Sequence, residues 1–378
     1  MAEIWFWQRI VTPHMAGLAV ALARQGHSVT YVAEREMSED RARQGWQAPD
    51  LPHVTLRFAG SATAIRHLVA QAPASSIHIC QGVRANGLVS VAQKALKQRN
   101  LRQWIVMETV SDHGWRGAIK RVLYRLLFAR WRSHLQGVLA SGWRTGDWVV
   151  ARGVPASMVF PFAYFLPEVI ASAIDKSDAE APFRFLFVGQ FIELKRLNLL
   201  IDALGNLATK SGSDFRLQVV GSGPLEASLR SYAERMLGQR LEWIGRLSME
   251  RVREAMASAD CLVLPSRYDG WGAVVSEALM AGTPAIVSDA CGSAGVVMAS
   301  QVGGVFPTGD VEALRDLLDK ALSAGSMATL QRRQLAEWGA CLGAKAGASY
   351  LGGIIRHVQG SQPRPAPPWS ASSQGMAE

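Results

Sequence analysis

Two carboxylates, Asp269 and Glu277, stand eight residues apart on either side of a glycine-flanked tryptophan, in the stretch Leu262 to Asp289, LVLPSRYDGWGAVVSEALMAGTPAIVSD. The pattern predicts a buried strand from Leu262 to Pro265, then a loop carrying Asp269, Gly270, Trp271 and Gly272. A short helix from Ala273 to Met280 and a second strand from Ala285 to Val287 follow. Gly270 and Gly272 leave the helix entrance bare, so the backbone N–H groups of Gly272, Ala273 and Val274 are open to an anion such as phosphate, with the positive end of the helix dipole behind them. The two acids, one on the loop and one a turn inside the helix, are suited to accept hydrogen bonds from sugar or ribose hydroxyls. Such a turn is common in α/β proteins, and its weight as a site comes from the neighbouring strand ends.

Three more predicted strands end in glycine or charge. FRFLFVGQF stops at Gly189 and Gln190 and is followed by Glu193, Lys195 and Arg196; VVGSGPLE turns at Gly221, Ser222, Gly223 and Pro224; LEWIGRLS turns at Gly245 and Arg246. Open α/β sheets bind ligands beyond the carboxyl ends of their strands, where Lys195 and Arg196 meet an anionic group or, on the plainer reading, cap a helix in solvent. In the first half, ETVSDH places Glu108, Asp112 and His113 after a strand, and His14 sits in the first loop, QRIVTPHMAG. Asp112 either orients His113 or caps the next helix.

The elements that must hold these residues alternate strand and helix twice over. IWFW, a helix AGLAVALARQG and HSVTYVA open a βαβ pattern, continued by strands at Val54 to Phe58, Ile77 to Cys80, Trp104 to Met107 and Gly137 to Ala140. The crossing VFPFAYFLP and the polar DKSDAEAP interrupt it, after which the pattern restarts. This is an α/β chain of two doubly wound domains. Its 378 residues are enough for two cores. The segment after residue 359, rich in Pro and Ser, is expected to be disordered.

Charge separates the halves. Residues 1–165 hold 20 Lys/Arg against 9 Asp/Glu, and residues 166–378 hold 20 against 22, so the first half carries +11 of a net +9. Within it, WRGAIKRVLYRLLFARWRSHLQG bears Arg116, Lys120, Arg121, Arg125, Arg130 and Arg132 with no acid, while Ile119, Val122, Leu123, Leu126 and Leu127 recur at helical spacing. A basic amphipathic helix over 115–136 is suited to an anionic membrane interface; packed on a core, it would show solvent a basic face. No nucleic-acid motif accompanies it. The four cysteines are scattered and form no CxxC, which points to a reducing cytoplasm, and neither a signal peptide nor an 18-residue apolar run is found.

The order and spacing of VGQFIELKRLNLLIDAL, VVGSGP and ADCLVLPSRYDGWGAVVSEALMAGTPAIVSD resemble the nucleotide-sugar half of family 4 retaining glycosyltransferases with the GT-B fold. The resemblance covers about 183–325. It implies two Rossmann-like domains facing a cleft: an acceptor-binding domain at 1–167, a linker at 168–182, a donor domain at 183–330, C-terminal helices at 331–359 returning to the first domain, and a tail at 360–378. It further implies donor contacts from Gly189, Gln190, Lys195, Arg196, Gly221, Gly223, Arg246, Asp269, Gly270, Gly272, Ala273, Val274 and Glu277, with Asp269 on the hexose, Glu277 on the ribose and Lys195 on the diphosphate. His113 beside the reacting sugar, with His14 and Asp112, would form the acceptor side. Three positions and one four-residue stretch depart from the family: Asp269 where Glu is usual, Gln190 where Arg is usual, Arg196 where Gly is common, and Thr12-Pro13-His14-Met15 in place of a glycine pair.

With no D-x-D sequence in the chain, the implied activity is metal-independent and cofactor-free: transfer of a hexose from a UDP- or GDP-linked donor to a glycan or lipid-linked acceptor in cell-surface polysaccharide assembly, at the inner face of a membrane. A nucleotide-sugar epimerase of the same fold, or a non-catalytic glycan- or membrane-binding protein, are the alternatives. The epimerase would need more first-domain carboxylates than Glu108 and Asp112 supply.

Overall fold

The computed structural model describes residues 1–37, 48–112, 114–167, 181–209 and 214–371. The chain divides into two compact units: Met1–Glu168 with Gly343–Pro368, and Val169–Leu342 with Trp369–Glu378.

The first unit is built on a seven-stranded parallel sheet, β1 Glu3–Ile10, β2 Ser28–Arg35, β3 Thr55–Phe58, β4 Ile77–Gln81, β5 Gln103–Glu108, β6 Leu135–Ser141 and β7 Val159–Phe162, in the order β3-β2-β1-β4-β5-β6-β7. The order reverses between β1 and β4, and a crevice opens at their carboxyl ends. Trp5, Trp7, Leu96, Ile105, Phe128 and Trp148 lead the core on one sheet face, each worth about 1.5–3 kcal/mol of burial. β7 falls inside the segment read as a crossing. Pro161 argues against a strand, and the sheet accommodates it because β7 is an edge and Pro161 is exposed there.

The second unit carries β8 Phe183–Gln190, β9 Phe215–Ser222, β10 Leu241–Gly245, β11 Cys261–Leu264, β12 Ala285–Ser288 and β13 Gly304–Phe306, all parallel, in the order β10-β9-β8-β11-β12-β13. Its switch lies between β8 and β11. Alternate residues of β8, Phe183, Phe185 and Phe187, point to one face and pack with Phe215, Leu200 and Leu204. β13 is a three-residue edge strand that begins on Gly304, too short to register as period two.

Three expectations are corrected. The basic helix spans Gly114–Trp131, not 115–136, because Arg132–His134 forms a tight turn and Leu135 enters β6 beside β5. The return to the first unit begins at Gly343, not 331: Thr329–Gly339 stays on the second unit, where buried Arg332 donates to the carbonyls of Ala257 and Ala259 and to Thr283 Oγ1. Of the two helices, Ala344–Val358 is the one that joins the first unit, with Gly347 set so closely on the Phe165 ring that a Cβ would lie 2.3 Å from it. The expected disordered tail is also held as far as its middle, since Arg364 donates to the carbonyls of Ser157 and Val159 and covers the Phe160 ring at 4.2 Å. Residues 168–180, most of the expected linker, and 372–378 lie outside the described residues.

Candidate active site

In the second unit the strand ends are fitted to one another by glycine. At Gly221, φ is +142° and a Cβ would fall 1.9 Å from the Gly189 carbonyl oxygen; at Gly223 one would fall 2.6 Å from Phe191 N. The chain after β9 therefore lies directly against the chain after β8, and any side chain there would push them apart. Arg246, on the turn after β10, donates through Nε and Nη2 to Ser222 Oγ at 3.3 and 3.1 Å, adding the third strand end to the group.

Across the switch point, Lys195 and Asp269 meet. Lys195 closes the tight turn Glu193–Lys195 after β8, Asp269 lies on the loop after β11, and Nζ to Oδ2 is 2.5 Å. The Asp269 loop is pinned by the chain at 290–293: Gly292 N–H donates to the Asp269 carbonyl at 2.9 Å and Ser293 N–H to the Trp271 carbonyl at 2.8 Å. Trp271 is buried and donates Nε1–H to Ser276 Oγ at 3.0 Å, so it anchors the loop. Gly272 has φ +86°, and a Cβ would lie 2.8 Å from Leu264. Helix Ala273–Met280 starts immediately after. Val275 N–H is taken by the Gly272 carbonyl at 2.9 Å, whereas Ala273 and Val274 donate to no group among the described residues. Two bare amides and a dipole end make an anion seat.

Glu277 sits one turn further, half-covered, and no hydrogen bond reaches its carboxyl among the described residues. Desolvation pushes its pKa up, with Arg253 opposing. Gln190 is exposed at the end of β8. Arg196 is left-handed, φ +49°, and its guanidinium runs to the Gly309 turn, where the sequence offered it to the diphosphate. The residue type that replaces glycine there keeps glycine's conformation, a local strain.

In the first unit the His14 ring stacks on Tyr164, centroids 3.7 Å apart and planes 4° from parallel, and Tyr164 donates its hydroxyl to Glu108. Asp112 accepts from Arg152 Nη2 and from Trp148 Nε1–H at 3.1 Å. Its carboxylate thus fastens the loop to helix Thr145–Val150 and to the turn that follows it. His113 lies outside the described residues. Among the sequence candidates, then, the structure joins Lys195 with Asp269 and groups Gly189, Gly221, Gly223 and Arg246. Sequence reading missed Tyr164, Gly292 and the buried Ser266 and Ser293 hydroxyls beside the Asp269 loop; the aromatic run FPFAYF was the available signal for Tyr164.

The Glycosyl transferases group 1 family model matches residues 171–337. This segment is similar to the group 1 glycosyl transferases. Phosphatidyl-myo-inositol mannosyltransferase of Mycobacterium leprae is 33% identical over 135 residues, 35% of this chain and 35% of that protein. The 2-deoxystreptamine glucosyltransferase of Streptomyces kanamyceticus is 30% identical over 156 residues, 40% of this chain and 39% of that one. The chain thus spans about a third of the length of the curated relatives it matches. The crystal structure of Anabaena HepE in complex with UDP aligns over 94% of this chain and 100% of that one with TM-score 0.71 at 14% identity, which gives both units the GT-B fold. The matched segment, 171–337, contains every donor-side residue named from the sequence. Among the described residues no helix is long and apolar enough to cross a membrane.

Proposed function

We propose that this protein is a retaining glycosyltransferase, moving a hexose from a UDP- or GDP-linked donor to a glycan or lipid-linked acceptor without a metal ion, in the assembly of cell-surface polysaccharide or glycolipid. The observation that carries this reading is the Lys195–Asp269 pair in front of the bare Ala273 and Val274 amides, within the segment similar to the group 1 glycosyl transferases. Breaking a sugar–diphosphate bond leaves negative charge on the diphosphate, and fixed donors aimed at it lower the barrier. Lys195 and the helix start supply that charge stabilisation, Glu277 accepts from ribose hydroxyls, and Asp269 accepts from the hexose. A thermal-shift panel of UDP-glucose, UDP-galactose, UDP-N-acetylglucosamine and GDP-mannose tests the reading. At least one should raise the melting temperature, Lys195→Ala should abolish that rise, and EDTA should leave both it and transfer intact. A panel with no stabilising member would sink the proposal.

The same reading places the enzyme at the cytoplasmic face of an anionic membrane. Helix Gly114–Trp131 turns Tyr124, Phe128 and Trp131 into the core, yet exposes Trp115, Ile119, Val122 and Leu126, a second apolar stripe with spacing four, three, four. Lys120 and Arg121 donate to the carbonyls of Ser111 and Asp112, while Arg116 and Arg125 flank the stripe in solvent. Apolar area edged by cations suits an anionic lipid surface. Co-sedimentation should be strong with phosphatidylserine vesicles, weak with phosphatidylcholine, and lost in Trp115→Ser/Leu126→Ser. Equal binding to both lipids would remove its basis.

A further inference from the structure

The loops that enter β4, β5, β6 and β7, at 73–76, 98–102, 132–134 and 153–158, contain no Asp or Glu, and neither does the segment 359–366 that folds back beside them. They bring Arg99, Arg102, Arg132 and Arg364 to the amino end of the first unit's sheet, opposite its crevice. Two of these are engaged: Arg99 donates to the carbonyls of Val69 and Ala72, and Arg364 to those of Ser157 and Val159. Arg102 and Arg132 are exposed and make no hydrogen bond or ion pair through their guanidinium groups among the described residues. Both line one open groove of about 490 Å³, with Ser133, and with Ala129, Pro155 and Met158 as its apolar side.

Two guanidinium groups on one groove repel each other, and with no acid in the surrounding loops that repulsion is relieved by an anion from outside the chain. Guanidinium forks pair bidentately with phosphate oxygens, which makes phosphate the matching anion. Helix Gly114–Trp131 ends here, and the negative end of its dipole opposes an anion, but that end carries about half a charge against a full charge on each arginine. The apolar side of the groove selects an amphiphilic phosphate over a free one. Ala129 stands three residues beyond Leu126 and so continues the exposed spacing of Trp115, Ile119, Val122 and Leu126 by one step. At the helical rise the groove begins about 5 Å past the end of that stripe. A lipid whose phosphate sits on the arginines has its glycerol and chains beside Leu126, whereas a soluble polyanion would use the charges and leave the stripe bare.

We infer that the Arg102–Arg132 groove seats the phosphate of an anionic phospholipid. The lipid source rests on the membrane reading above, while the binding of phosphate does not. The test uses the full chain, Arg102→Gln/Arg132→Gln, and a control, Arg66→Gln/Lys94→Gln, that removes two exposed charges from helices Ala62–Gln71 and Val89–Gln98. Co-sedimentation compares phosphatidylcholine vesicles carrying phosphatidic acid, whose phosphate is a terminal monoester, with vesicles carrying phosphatidylserine at the same surface charge and salt. The wild type should prefer phosphatidic acid by about ten-fold, the effect of one charge-assisted hydrogen bond. The groove variant should bind both lipids alike, and the control should keep the preference. The groove variant's melting temperature should stay level or rise, because a repulsion has been removed. A wild type without the preference overturns the inference. So does a control that loses it equally, since the charges would then act as a diffuse field, or a fall in the groove variant's melting temperature, which would make the pair structural. Stabilisation of the wild type by glycerol 3-phosphate with no preference between the lipids would make the ligand a soluble phosphate and overturn the lipid assignment. Phosphatidylserine binding lost in Trp115→Ser/Leu126→Ser, in a wild type indifferent to phosphatidic acid, would leave the membrane reading standing without the groove. A preference that needs the arginines but survives in that stripe variant would remove the stripe's role alone.

Discussion

Neutralising Asp269 separates the two tasks that the proposed function gives its carboxylate. Lys195 Nζ lies 2.5 Å from Asp269 Oδ2, with the side chains 23% and 15% exposed, so an incoming diphosphate must draw the lysine away from an acid that already holds it. Exposed ion pairs are worth about 0–1 kcal/mol, and breaking a buried one costs about 3–5 kcal/mol. A partly covered pair falls between, at about 1–2 kcal/mol, or roughly five- to thirty-fold in affinity. Asp269→Asn should therefore tighten binding of the bare nucleoside diphosphate by about that factor, since Lys195 is released and a negative charge leaves the front of the helix. Transfer should move the other way, falling by about a hundred-fold through loss of the charged acceptor on the hexose.

Calorimetry with UDP and GDP gives the first quantity and a labelled-sugar assay the second. The double variant supplies an internal control. In Lys195→Ala, Asp269 is left unpaired beside the phosphates, so Lys195→Ala/Asp269→Asn should bind the diphosphate better than Lys195→Ala alone. If Asp269→Asn weakens the bare diphosphate, in parallel with its loss of transfer, the competition argument is wrong and the acid serves the lysine as a support.

Three further outcomes follow from single residues. Glu277 has its pKa raised by desolvation, so the stability it contributes is present while the group is protonated and is lost as pH rises through its folded value; Glu277→Gln should melt higher than wild type at pH 7–8, lose that advantage below the ordinary glutamate range, and bind nucleotide sugar more weakly. His78 is buried and lowered to about 4 by desolvation, with Arg99 adding to it, so between its ordinary 6.5 and 4 the unfolded chain takes a proton that the folded chain refuses; stability should fall by up to about 3 kcal/mol over that window in urea titrations, and His78→Asn should flatten the fall. Gly221→Ala drives a Cβ to 1.9 Å from the Gly189 carbonyl at φ +142°, and should lower the melting temperature and nucleotide-sugar binding together.

What the sequence disclosed was whatever the backbone makes locally. The strand, glycine loop and helix from Cys261 to Met280 are legible because glycine spacing and the apolar period report φ and burial within a few residues. Its edges were not: β7 contains a proline that only an unpaired edge tolerates, and β13 is three residues long. The break at Gly339 to Gly343 was likewise silent, since a helical period continues through it; the helix stops because Gly339 packs on Leu279 within the second unit while Gly343 pairs with Leu166 in the first.

Side-chain partnerships were invisible for a different reason. Lys195 and Asp269 are 74 residues apart, and nothing in either neighbourhood states that the shorter acid will face the lysine. The family pattern assigned Asp269 to the hexose and Lys195 to the diphosphate as separate contacts, and the fold joins them into one unit. That pairing changes what the substitution of Asp for the usual Glu means. A glutamate at 269 would carry its charge one methylene further, and Asp269→Glu should then hold Lys195 less squarely while reaching closer to a sugar. Weaker lysine restraint predicts tighter diphosphate binding than wild type with transfer retained, a result unlike that of Asp269→Asn, in which transfer is lost. Measuring the two variants side by side in the calorimetric and transfer assays distinguishes the charge of this acid from its reach.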